Sequence, residues 1–170
     1  MANQDKEKKL SLIVVSILNV VSQYAAQSHK AISEDKEIYE QIKDSFEGDK
    51  IAFYNYWIFI FYLFNAVYGT EKKLEKNGFT KEEFTTELMS QLKKLGIYSL
   101  NAFEVIKNYE GSVAKFIGNR ICKELSIESA VLEFQINGIF NNYLLHGFYP
   151  SVEKAWSINE FLEKRKAAPE

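Results

Sequence analysis

The sequence predicts an all-α fold, a compact single-domain helical bundle of about seven to eight helices over residues 1–170. Three observations carry that reading. Apolar residues recur at spacings of three and four, the period of a helix with a buried face. Helix punctuation accompanies them, with Ser, Thr or Asp before apolar runs and Gly after them. The chain has no sustained two-residue alternation, no hairpin turn between strand-like runs and no internal repeat.

The first predicted helix covers residues 6–30, with Leu10, Ile13, Val14, Ile17, Val21 and Tyr24 on one face. Leu12, Val15, Leu18 and Val20 lie on its other sides, which predicts burial on more than one face. Lys6, Lys8 and Lys9 before this apolar run, and Ala25 and Ala26 after it, follow the order of a secretory signal. Asp5 and Glu7 interrupt the cationic region, and Gln23 or Tyr24 would occupy a position that cleavage needs small, so the segment reads as a helix.

Ser33 is the predicted N-cap of the second helix, whose stripe is Ile38, Ile42 and Phe46 and whose end is Gly48. Asp49 caps the third and Gly69 stops it. Residues 51–68 carry no charge over 18 positions, and nine of these are aromatic out of 25 in the chain, which marks the core. A charge-free run of this length also qualifies as a membrane span. Phe53, Trp57, Ile60, Phe64 and Val67 form an apolar stripe, while Tyr54, Asn55, Tyr62 and Asn65 share a polar arc that hydrocarbon would not satisfy. The reading is therefore a central core helix.

The clearest local signature lies in residues 80–95. Thr80 and Glu83 have capping-box spacing, Phe79 and Phe84 occupy the staple positions, and Gly96 follows a core stripe of Phe84, Leu88, Leu92 and Leu95. A short helix is predicted over 100–109. Another opens at Gly111 and Ser112 with Val113, Phe116, Ile117 and Ile121, and a longer one runs from Ser126 to Leu145. Residues 146–150 read as a rigid loop because they hold Gly147 and Pro150. Ser151 starts a last helix with Val152, Ala155, Trp156, Phe161 and Leu162, before a frayed tail over 164–170.

The net charge is −2, from 21 basic and 23 acidic residues, and only Arg120 and Arg165 are arginine. Without arginine forks or a basic face, nucleic acid is excluded as a partner. A helix-turn-helix alignment over residues 88–106 fails for the same reason, since Lys107 is the sole base near the recognition helix, beside Glu104. Residues 33–50 hold seven acids and three lysines, and residues 124–163 hold six acids and one lysine. Both segments suit a basic partner.

No metal or cofactor site is expected. Neither His29 nor His146 has a glutamate three residues before it, and a calcium loop around Gly78 would place Lys73 and Phe84 where carboxylates belong. Cys122 beside two scattered histidines reads as a packing residue, and a single cysteine suits a reducing, cytoplasmic setting.

These exclusions lead to a non-enzymatic protein-interaction module of inhibitor, immunity or adaptor type. Its expected contacts are acids on helix faces, Glu34, Glu37, Glu40, Glu124 and Glu128, with Phe148 and Tyr149 as aromatic anchors. The alternatives are a carrier or sensor binding an apolar ligand against the third helix, at Tyr54, Asn55, Tyr62 and Asn65, or a membrane-associated helical protein.

Overall fold

The computed structural model of the chain describes residues 2–158. The predicted all-α bundle is what it shows: among the described residues there are helices and turns but no strand. Phe161, Leu162 and the tail 164–170 lie outside the described residues.

The order is α1 (Ala2–Glu34), α2 (Lys36–Ile42), α3 (Lys50–Val67), α4 (Glu71–Lys76), α5 (Lys81–Lys93), α6 (Asn101–Lys107), α7 (Val113–Glu124), α8 (Ala130–Tyr143) and α9 (Tyr149–Trp156). α1 and α3 cross at the centre; α1 also packs on α2, α5, α8 and α9, and α3 on α6 and α7.

The predicted core face of α1 is buried throughout, from Leu10 to Tyr24. Leu12 and Val15 are instead exposed, at 44% and 38%, so the burial expected on further faces does not extend to them. α2 does not start at Ser33. That hydroxyl donates back to His29 O within α1, and Asp35 caps α2 by accepting from Ile38 N at 3.0 Å. A serine that turns its proton onto the preceding turn has no lone pair aimed forward at the next helix.

α3 is the core helix expected of it. From Trp57 onward it is buried on nearly every side, and Phe61, Tyr62 and Leu63 are fully buried. Each large side chain so enclosed contributes roughly 2–3 kcal/mol of transfer free energy. Phe53, placed by spacing on the apolar stripe, is 53% exposed, and Ile51 and Ala52 before it are exposed as well. Rings from three helices meet around Tyr62: its centroid lies 6.1 Å from Tyr24, 5.7 Å from Phe140 and 4.8 Å from Phe148. The Tyr62 hydroxyl shares a 2.6 Å hydrogen bond with Ser28, which satisfies both buried groups.

α5 carries the full capping box. Thr80 Oγ1 accepts from Glu83 N at 3.1 Å and Thr80 N donates to Glu83 Oε2 at 2.8 Å. Phe79 and Phe84 are both buried at the staple positions, and Lys6 of α1 pairs with Glu83 at 2.6 Å. That cation, with the Thr80 bond, holds the Glu83 carboxyl below the usual carboxylate range. Leu95 departs from the predicted stripe; it follows the last turn of α5 and is 56% exposed.

Two elements differ from expectation. α4 is a helix where none was predicted, since Leu74 is its single buried residue and leaves no periodic signal. Ser126 does not start α8; it sits in the left-handed region, φ 59°, one residue past the C-cap of α7, with Ile127 N donating to Cys122 O. The true N-cap is Ser129, which accepts from Leu132 N at 3.2 Å.

The largest correction concerns residues 146–150. They form no loop: a π-helical turn over Leu144–Phe148 leads from α8 into α9 with helical dihedrals at both junctions. Pro150 falls in the first turn of α9, where its missing N–H is tolerated, and the wider π turn takes up the register change.

α7 and α8 form a tight antiparallel pair in which Gly118 N donates to Asn137 Oδ1 at 2.9 Å. Gly138, on the outer side of α8, has nothing within 4 Å of where a Cβ would sit. Gly138→Ala is therefore expected to raise unfolding stability by about 0.5–1 kcal/mol, the helix-propensity gain with no steric cost, measurable by urea denaturation.

Candidate functional site

The acidic residues singled out from the sequence divide by environment. Glu34 pairs with Lys30 at 3.6 Å and Glu40 with Lys43, both exposed and local. Exposed pairs of this kind contribute little to stability and are readily exchanged for other partners. Glu37 differs, because it accepts from Gln135 of α8 at 3.3 Å and so ties α2 to α8. Glu124 is half-buried, held by Arg120, whose guanidinium lies 4.1 Å from the centroid of the Trp57 ring. That carboxylate is committed to the interior of the fold. Glu128 is exposed and lines an open cleft of about 540 Å³ between α7 and α8 with Cys122, Ser126 and Glu133.

The aromatic anchors separate as well. Phe148 is fully buried, edge-on to Tyr24 at 5.4 Å, so it is a core residue and not a surface anchor. Tyr149 is 40% exposed and its hydroxyl donates to Asn65 Oδ1 at 3.0 Å. Burial raises the Tyr149 phenol above its ordinary range.

The four polar residues of α3 do not converge. Tyr54 and Tyr62 are fully buried, and desolvation pushes both phenols well above the usual tyrosine range. Asn55 faces outward. Asn65 donates to Phe61 O at 2.8 Å besides accepting from Tyr149. Tyr62 and Asn65 spend side-chain hydrogen bonds on Ser28 of α1 and on Tyr149, whereas the buried Tyr54 hydroxyl has no hydrogen-bond partner among the described residues.

A surface feature absent from the sequence reading lies on α8 and the π turn that follows it. Val131, Phe134 and Leu145 are 67%, 79% and 68% exposed. Leu132, Ile136 and Phe140 define the buried side of this helix. At about 100° per residue Phe134 stands roughly 120–160° away from them, and Val131, Gly138 and Leu145 fall within roughly 60° of it on the outer side. The Gln135–Glu37 contact sets the acidic α2 along one edge of this apolar stripe. The periodicity of α8 alone could have revealed Phe134, since the core stripe leaves it no buried position. The neighbouring α2 could not be read locally.

Chemistry on the described residues is sparse. Among them, no group of three or more His, Cys, Asp or Glu side chains could hold a metal ion. Cys122 is buried, and desolvation pushes its thiol up to about 11, leaving it protonated at neutral pH. Among the described residues one helix, Gln4–Glu34, is long and apolar enough to cross a membrane by length and composition, with mean hydropathy 1.5 over an 18-residue stretch of it; this is α1, not α3, and a core helix passes the same test.

Comparison with protein-family models, with curated proteins and with solved structures finds no match.

Proposed function

We propose that this chain is a non-enzymatic protein-interaction module, of inhibitor, immunity or adaptor type, that binds a basic amphipathic helix of its partner across the α2–α8 face. The observation that carries the reading is the adjacency of two unlike surfaces: the exposed ring of Phe134 with Val131 and Leu145, and the acids of α2 beside them. An apolar centre flanked by charge of one sign suits a ligand helix with a leucine stripe and lysines at its border. Glu34, Glu37 and Glu40 supply the negative edge, and Phe134 takes the anchoring place that sequence reading assigned to Phe148 and Tyr149.

A fluorescein-labelled synthetic helix of leucine stripe and lysine flanks, titrated with the full chain and followed by anisotropy, tests this. Phe134→Ala and Glu37→Lys should each weaken binding at least tenfold, and raising salt should weaken the native complex. Unchanged affinity in both variants would sink the proposal. So would sedimentation showing a dimer of the chain that Phe134→Ala dissolves, because the stripe would then be covered by a second copy.

A further inference from the structure

We infer that the cleft at the C-terminal end of α3 is a binding site for a neutral, planar, apolar small molecule, independently of the α2–α8 face. The cleft encloses about 550 Å³ between α3, α4, α5 and α6. That volume suits a drug-sized ligand and is small for a helix.

Its inner wall is aromatic and aliphatic: Phe64, Phe103, Leu74, Phe84 and Leu88 line it. Phe103 stands edge-on to Phe64 at 5.3 Å, and Tyr68 stacks on the Phe64 ring at 4.9 Å and 22° between planes. Tyr68 is nevertheless 66% exposed, so a stacking surface faces the opening. Gly69, at φ 76°, turns the chain so that Leu74 of α4 contributes one side.

Charge at the rim selects the ligand class. Lys81 pairs with Glu71 at 3.6 Å and Lys107 with Glu104 at 3.9 Å, so the four charged lining residues sum to zero. The rim thus offers no net charge to offset the desolvation of a charged ligand entering the apolar cleft, while a neutral one needs none. Buried Thr70 already donates its hydroxyl to Val67 O at 3.0 Å, so the wall there asks for no hydrogen bond from a ligand. The chemistry that fits is a neutral aromatic or polyene ring system that buries apolar area against Phe64, Tyr68 and Phe103.

N-phenyl-1-naphthylamine, a neutral fluorophore, titrated into the full chain is expected to give a saturable one-to-one rise in emission. Thr85→Trp, which fills the cleft from an exposed position on α5, should weaken binding at least tenfold; Tyr68→Ala should weaken it at least threefold. Phe134→Ala on α8 should leave it within twofold, which separates this site from the protein-binding face. The anionic analogue 8-anilinonaphthalene-1-sulfonate should bind at least tenfold more weakly. Circular dichroism establishes that each variant is folded. No saturable signal, a titration that both cleft variants leave unchanged, loss of binding in Phe134→Ala, or equal affinity for the anion would each overturn the inference.

Discussion

Gly118→Ala is expected to lower unfolding stability by about 3 kcal/mol. A Cβ at this position would lie 2.4 Å from Glu133 O and 2.9 Å from Asn137 Cγ. The first of these is a backbone carbonyl inside α8, which cannot rotate away, so α7 and α8 must separate. Overpacking of this kind costs roughly 1–3 kcal/mol. Separation also lengthens the 2.9 Å bond from Gly118 N to Asn137 Oδ1, which adds about 1 kcal/mol. The urea midpoint of Gly118→Ala should fall while that of Gly138→Ala rises, two glycine substitutions of opposite sign in one helical pair. A stability change under about 1 kcal/mol for Gly118→Ala would mean that the two helices pack less closely than described.

Phe148→Ala carries the other large effect, a loss of about 4 kcal/mol, against about 1 kcal/mol for Tyr149→Ala. Phe148 is fully enclosed and touches the rings of Tyr24 and Tyr62, so its removal opens a cavity lined by side chains from α1 and α3 that cannot collapse independently. Tyr149 keeps its ring half in solvent and loses mainly its bond to Asn65. Thermal or urea unfolding of the pair checks the order. Similar losses in the two variants would contradict the π turn, because a loop at 146–150 would expose both rings alike.

What could be read from the sequence was whatever local chemistry decides. The α5 start is an example: Thr80, Glu83, Phe79 and Phe84 lie within six residues, and their mutual contacts depend on nothing distant. The core face of α1 was legible for a similar reason, since six apolar residues at helical spacing can be buried together in one way only. The cap of α2 was misplaced because Ser33 and Asp35 both qualify by type, and the side-chain bond of Ser33 to His29 O decides between them.

The errors elsewhere come from tertiary context. Gly147 and Pro150 ordinarily break helices, yet here Gly147 is needed where a Cβ would meet Tyr24 Oη at 2.3 Å, and Pro150 sits where no donor is required. Of the candidate contacts, the acids of α2 were visible as composition. Their alignment with Phe134 was not, because Glu37 and Gln135 are 98 residues apart. The cleft beside Phe64 was hidden in the same way: it needs α4, which has one buried residue, and α6, which the sequence places but cannot orient.

The length of α1 sets the order in which this chain can be completed on the ribosome. Its 33 residues emerge early, with a mean hydropathy of 1.5 over the central stretch, while the hydroxyl of Tyr24 meets Ser151 only 127 residues later. At a synthesis rate of about 5–20 residues per second, the side of α1 that α9 covers stays open for roughly 6–25 seconds, although α2, α3 and α5 are made sooner and can cover the rest. During that interval the uncovered part of the apolar face is open to a holding chaperone. α9, the last described helix to pack on α1, closes that side.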